Sequence, residues 1–147
     1  MAYRFEFDST QRIMRCRLAM SVTDEEMMEC YRTMALVCDA LTPEAGIADF
    51  SEVTSFVTIG TVRALAKLPP AMPEPTRPRF VVAPSDHVYG LARLFQIEGE
   101  ATRPNLHVVR SAEEALSMAG IDDLEFAPLS KALESLGVPK GTWEMRE

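Results

Sequence analysis

Four short apolar runs in this sequence, Ile13–Leu18, Gly46–Phe50, Arg79–Ala83 and Leu106–Val109, are each followed by a stretch with helical periodicity. A strand reached from its predecessor through a helix lies parallel to it. The alternation therefore predicts right-handed βαβ crossovers and a mostly parallel sheet. Ahead of it, Tyr3, Phe5 and Phe7 alternate with Arg4, Glu6 and Asp8, the period of a half-buried strand. The turn-forming run Asp8-Ser9-Thr10-Gln11 then leads into Ile13–Leu18. Two strands around so short a polar turn predict an antiparallel hairpin, with Met14, Cys16 and Leu18 on one face and Ile13, Arg15 and Arg17 on the other.

Helix boundaries are legible from capping chemistry. Thr23-Asp24-Glu25-Glu26 is a capping box opening a helix to about Leu41, with Met27, Tyr31, Met34, Val37, Cys38 and Leu41 as its apolar stripe. Thr42-Pro43 stops it, because the residue before proline is pushed out of the α region. Ser51 to Val57 reads as a connection to a second helix, about Thr58 to Leu68. Residues 69–78 hold five prolines in ten positions and form an extended loop. Ser85 or Asp86 caps a third helix to about Gln96, with Val88, Leu91, Ala92 and Phe95 turned inward. Ser111 begins a second capping box, whose helix ends near Ala119 with Gly120 beyond it. The expectation is thus an α/β domain over residues 1–120, with about five strands and four helices. Residues 121–147 form an appended arm of the same unit, with a short helix marked by Leu129, Leu133 and Leu136 before Pro139, Gly141 and Trp143.

The chain has 147 residues, 47% hydrophobic and 25% charged, enough for one sizeable core. Its net charge of −7 disfavours nucleic acid and anionic lipid as partners. Arg12, Arg15 and Arg17 read as the outer face of an early strand. The three cysteines, Cys16, Cys30 and Cys38, include no C-x-x-C; they read as small buried hydrophobes in a reducing cytoplasm. The opening MAYRFEFDST lacks the apolar core of a signal peptide, and no run suits a membrane span.

Candidate chemistry is sparse. His87 and His107 stand apart from any set of metal ligands, and neither a G-x-S-x-G elbow nor a phosphate-cradling glycine loop is present. No metal or cofactor is therefore expected. Asp122, Asp123 and Glu125 read as a solvated connection. Arg63 and Lys67 stand one helical turn apart, and Tyr89, Arg93 and Gln96 share one side of the third helix, as a ligand rim, a subunit contact or plain surface. An enzyme would need an unrecognised constellation around Asp49, His87, Tyr89 and Arg93.

The segment Asp49–Gly60, DFSEVTSFVTIG, resembles the signature of STAS domains of the anti-sigma-factor-antagonist type, where a strand ending D-L-S precedes a loop of the form V-x-F-x-D-S-S-G. Asp49, Phe50 and Ser51 stand for the strand end and Val53 for the loop hydrophobe. Phe56 supplies the apolar residue one position late, and Gly60 stands for the glycine. Over Tyr3 to Gly120 the chain is similar to bacterial STAS-like proteins grouped with CRAL-TRIO-like lipid-transfer folds, through VVAPSDHVYGLARLFQ (Val81–Gln96) and VVRSAEEALSMAG (Val108–Gly120). The resemblance implies a mixed, mostly parallel sheet and a non-catalytic protein-interaction or regulatory module, whose partner is another protein or a second copy in a homodimer. The alternative is a binder of a small apolar or lipid-like ligand. Val57, Thr58, Ile59, Gly60, Arg63, Lys67, Tyr89 and Arg93 are the expected interaction surface. In partner-switching STAS proteins a serine at the start of the second helix is phosphorylated; Ile59 holds that position here, which implies that such a switch does not operate in its familiar form.

Overall fold

The computed structural model describes residues 3–135; Leu136, Pro139, Gly141 and Trp143 lie outside them. Tyr3–Asp8 (β1) and Ile13–Ser21 (β2) form the expected hairpin, with Phe5 opposite Cys16 and Phe7 opposite Met14. Asp24–Leu41 (α1) begins at Thr23, whose hydroxyl accepts from Glu26 N while the Glu26 carboxylate accepts from Thr23 N. There follow Ala45–Ser55 (β3), Ile59–Lys67 (α2), Arg79–Val82 (β4), Asp86–Glu98 (α3), Leu106–Val109 (β5) and Ala112–Ala119 (α4). Gly120 closes α4 at φ 68°, the left-handed conformation in which glycine meets no Cβ penalty.

Among the described residues the sheet has six strands, where about five are expected. Ala127–Pro128 (β6) pairs antiparallel with β1, and Leu129–Ser135 (α5) follows it, so the strand order is β5-β4-β3-β2-β1-β6. The pairs β2–β3, β3–β4 and β4–β5 are parallel. A two-residue strand carries too little periodicity to be seen in a sequence; it forms because β1 offers an unpaired edge.

A second difference lies in β3, which extends to Ser55 where a connection is expected. The long β2 supplies its partner, with Ala19 beside Glu52 and Ser21 beside Ser55 across two register shifts. Beyond Phe50 the strand leaves the covered part of the sheet, so Ser51, Glu52, Thr54 and Ser55 are exposed and the polarity looks like that of a loop.

One sheet face carries Phe5, Cys16, Leu18 and Val81 against α1, α2 and α3. The other carries Ile13, Ile47, Phe80 and Val109 against α4 and Leu124 and Phe126 of the arm. Past Phe126 the chain pairs with β1 and then places Leu129 and Leu133 in the first core, so the arm wraps around the sheet edge. Asp8, 2% exposed, fastens this wrap: its carboxylate accepts from Gln11 N and Glu125 N, each at 2.7 Å. The early arginines are all engaged locally. Arg12 donates to Leu41 O and Thr42 O at the end of α1, where a cation suits the helix dipole. Arg15 pairs with Glu6 and lies over Phe126, and Arg17 pairs with Glu52.

Arg103, in the loop after α3, is 3% exposed and ties three helices together. Nη1 donates to Ala66 O (3.0 Å) and Nη2 to Leu68 O (2.9 Å) at the end of α2. Nη2 also donates to the Tyr31 hydroxyl of α1 (2.6 Å), and the guanidinium lies over the Phe95 ring of α3. Charge-assisted hydrogen bonds of this kind contribute about 1.5–3 kcal/mol each. Arg103→Met is expected to lower unfolding stability by about 3 kcal/mol in urea titration, because buried carbonyls lose their donor. Asp8→Ala is expected to cost about 2 kcal/mol and to speed hydrogen exchange selectively between Glu125 and Leu133.

Candidate functional site

The start of α2 lies at the carboxyl end of β3, and three side chains organise it. Thr58 is the N-cap, with its hydroxyl accepting from Thr61 N (3.4 Å). Asp24, the first residue of α1, accepts from Thr58 N (3.0 Å). Two helix starts therefore share one carboxylate, which supplies the anion that a helix N-terminus favours. The Thr58 N–H, then the Thr61 side chain, holds the Asp24 carboxyl below the usual carboxylate range, against a smaller desolvation effect. Beside it the Ser21 and Ser55 hydroxyls meet at 2.7 Å. The Asp49-Phe50-Ser51 signature builds the first register shift of β3: Asp49 accepts from Ser51 N (2.9 Å), and Phe50 packs edge-on against Phe56 at 4.9 Å.

The eight expected surface residues do not share one environment. Val57 is 5% exposed and belongs to the core, so its side chain is not part of any surface. Thr58, Ile59 and Gly60 are exposed together. Farther along α2, Arg63 pairs with Glu98 of α3 at 3.0 Å, and Lys67 is exposed in the last turn. Tyr89 lies half-buried under the Arg110 guanidinium, 3.9 Å from its centroid, and Arg110 also pairs with Asp86. Arg93 donates to Gln96, which reaches Leu106 O. Sequence reasoning missed the parts played by Asp24 and Arg110. The signal for Asp24 was its place in the capping box; its contact with α2 depends on tertiary structure.

Other chemistry-bearing groups are inert or dispersed. Cys16 and Cys30 are buried with their sulfurs 3.5 Å apart, and burial, then Cys30, pushes the Cys16 thiol up. Burial likewise pushes Cys38 up to about 12. Such thiols stay protonated and unreactive. His107 stacks on Phe80, and His87 is exposed at the start of α3. Among the described residues, no cluster of three or more His, Cys, Asp or Glu side chains is placed to hold a metal ion. No helix among them is long and apolar enough to cross a membrane.

Beneath α1, α2 and α3 lies a cavity of about 130 Å³ lined chiefly by apolar side chains, including Met14, Met27, Met34 and Met72. This is smaller than the roughly 300–1,000 Å³ of pockets for drug-sized ligands, so it does not enclose a long acyl chain. Two arginines, Arg79 and Arg103, reach its wall. Burial, then the charge of Arg103, pushes Arg79 below the ordinary arginine value. Neither was singled out in the sequence, although a charged first residue in the apolar run of β4 was a signal.

This architecture, a mixed sheet with three parallel crossovers on one face and an antiparallel hairpin at one side, is a STAS-like fold. In particular it resembles SpoIIAA. The anti-sigma factor antagonist SpoIIAA in its unphosphorylated form aligns with a TM-score of 0.56 and 15% identity over 83% of this chain and 100% of that one. The Bacillus cell fate determinant SpoIIAA in its phosphorylated form aligns at 0.51 and 15%, over 80% and 99%. By sequence, no protein family and no curated protein matches the chain.

A carboxyl with a depressed folded-state pKa adds stability that is present above its unfolded value of about 3.9 and lost as pH falls through the lower folded value. Asp24→Asn should therefore melt below the wild type at pH 7. The gap should narrow as pH falls below about 4, as read by circular dichroism melts.

Proposed function

We propose that this chain is a non-catalytic regulatory module that acts by binding another protein through the exposed start of α2. The observation that carries this reading is the exposure of apolar side chains at one end of the sheet: Ile59 is 54% exposed and Met20, at the end of β2, is 73% exposed. Large apolar side chains beside a capped polar helix start, on a chain of net charge −7, suit a protein partner better than a phosphate backbone. The likeness to an anti-sigma factor antagonist supports the same reading. Arg63 and Lys67 extend the contact along α2, with Tyr89 and Arg93 of α3 at its margin. The partner is a different protein or a second copy in a homodimer. We read the arm, residues 121–147, as part of the same unit as residues 1–120, on the packing of Phe126 and Leu129, and the compartment as cytoplasm, on the three buried free thiols.

Regulation through phosphate at the start of α2 is not part of this reading. Ile59 has no hydroxyl, and Asp24 already brings a negative charge to Thr58. A phosphate on Thr58 would stand against that carboxylate.

The test uses the whole chain as bait in extract of its own cells, beside Met20→Glu/Ile59→Glu, with light scattering of both proteins. The wild type is expected to retain a partner, or to run at twice the monomer mass, and the double variant to lose that association at least about tenfold. A wild type that is strictly monomeric and retains nothing the variant loses would overturn the reading.

A further inference from the structure

Arg79 is 8% exposed and faces the same core as Val81. Its Nη2 donates to Met72 O (2.6 Å) and Glu74 O (2.7 Å), which tethers the proline loop to β4. Its Nε and Nη1 are buried without a partner among the described residues. No carboxylate forms an ion pair with it among those residues. The Glu74 carboxylate is turned to Thr76, accepting its N–H and hydroxyl, and the other charged group on the cavity wall is Arg103, of the same sign. Arg103 and Tyr31 direct their polar groups at each other and at backbone carbonyls. Buried charges in proteins are ordinarily paired, and buried donors are ordinarily bonded. Arg79 departs from the second rule at Nε and Nη1 and meets the first only through the Glu74 charge beyond ion-pair distance, and it does so on the wall of a cavity.

We infer that this cavity is a binding site for a small aliphatic monocarboxylate of about six carbons, its carboxylate held by Arg79 and its tail among the methionines. The charge argument selects an anion. A carboxylate brings one negative charge to a guanidinium that the Glu74 carboxylate attracts only from beyond ion-pair distance, with oxygens enough for both idle donors. A phosphate monoester would bring up to about two negative charges into an apolar wall that offers nothing further to neutralise them. The volume sets the length: a cavity of about 150 Å³ takes up benzene, with its six carbons, and this one is about 130 Å³. The lining sets the tail, because Met14, Met27, Met34 and Met72 are unbranched side chains that adjust to an irregular aliphatic guest. Gly46 also lines the cavity. A Cβ there would meet Met14 Cε at 3.6 Å, an ordinary contact, so the backbone leaves room that a side chain would fill. The site is separate from the contact face at α2 and does not rest on it.

The test is a titration of the full chain, labelled at its methionine methyls, with hexanoate and with hexan-1-ol as the neutral counterpart. Hexanoate is expected to shift the Met14, Met27, Met34 and Met72 methyl signals saturably, and hexan-1-ol to bind at least about tenfold more weakly, the effect of one lost charge-assisted hydrogen bond. In Arg79→Gln the preference for hexanoate over hexan-1-ol should vanish while hexan-1-ol still binds, which shows that the cavity survives. Gly46→Val should abolish both titrations. The wild-type comparison decides even where a variant fails to fold. Absence of a saturable shift up to about 10 mM, where a millimolar site would fill, overturns the site. Equal affinity for the acid and the alcohol overturns the role of Arg79.

Discussion

The helical layer of this protein depends on one buried cation. Arg103 arrives from the loop after α3 and meets the end of α2, the Tyr31 hydroxyl of α1 and the Phe95 ring of α3. The last carbonyls of a helix lack intrahelical partners, and in an apolar layer water does not reach them. A guanidinium answers several of them at once because its donors are fixed in a plane. Tyr31 passes the link onward by donating to Pro69 O, so the same network anchors the entry to the proline loop. Position and orientation of three helices thus follow from one side chain, and the space left beneath them follows from their spacing.

The opposite end of the sheet is organised by carboxylates rather than arginines. Asp24 joins the starts of α1 and α2, and Asp49 holds the irregular strand that leads between them. The Asp-Phe-Ser signature therefore has a structural explanation in this chain: the carboxylate satisfies the backbone N–H that the register shift removes from the ladder. That leaves the exposed apolar side chains nearby without a packing explanation, which is why they bear the functional reading.

Much of the fold was legible because local signals agree with the tertiary outcome. The capping box at Thr23 and the N-cap at Ser111 mark the true helix starts, and the alternation in β1 and β2 sorts Phe5 and Ile13 onto opposite faces. Expectation failed where structure is made by distant partners. Ser51–Ser55 has the composition of a loop and becomes a strand because β2 is long enough to pair with it. Ala127–Pro128 becomes a strand only beside β1. The candidate surface was legible as a segment but not as an orientation: exposed Thr58 directly follows Val57, which turns into the core. Arg79 and Arg103 escaped because a charged residue in a sequence is normally read as surface.

The arm wrapped around β1 also sets an order of assembly. Glu125 N reaches Asp8 across 117 residues of sequence, whereas the β1–β2 hairpin closes over a handful. The first strand of this sheet is thus the last to be finished. During synthesis its outer edge stays open until the arm emerges, and the long loop that must close makes this the slow contact of folding. A nascent chain stalled before the arm would present β1 with one edge unpaired, the kind of edge on which chains join one another.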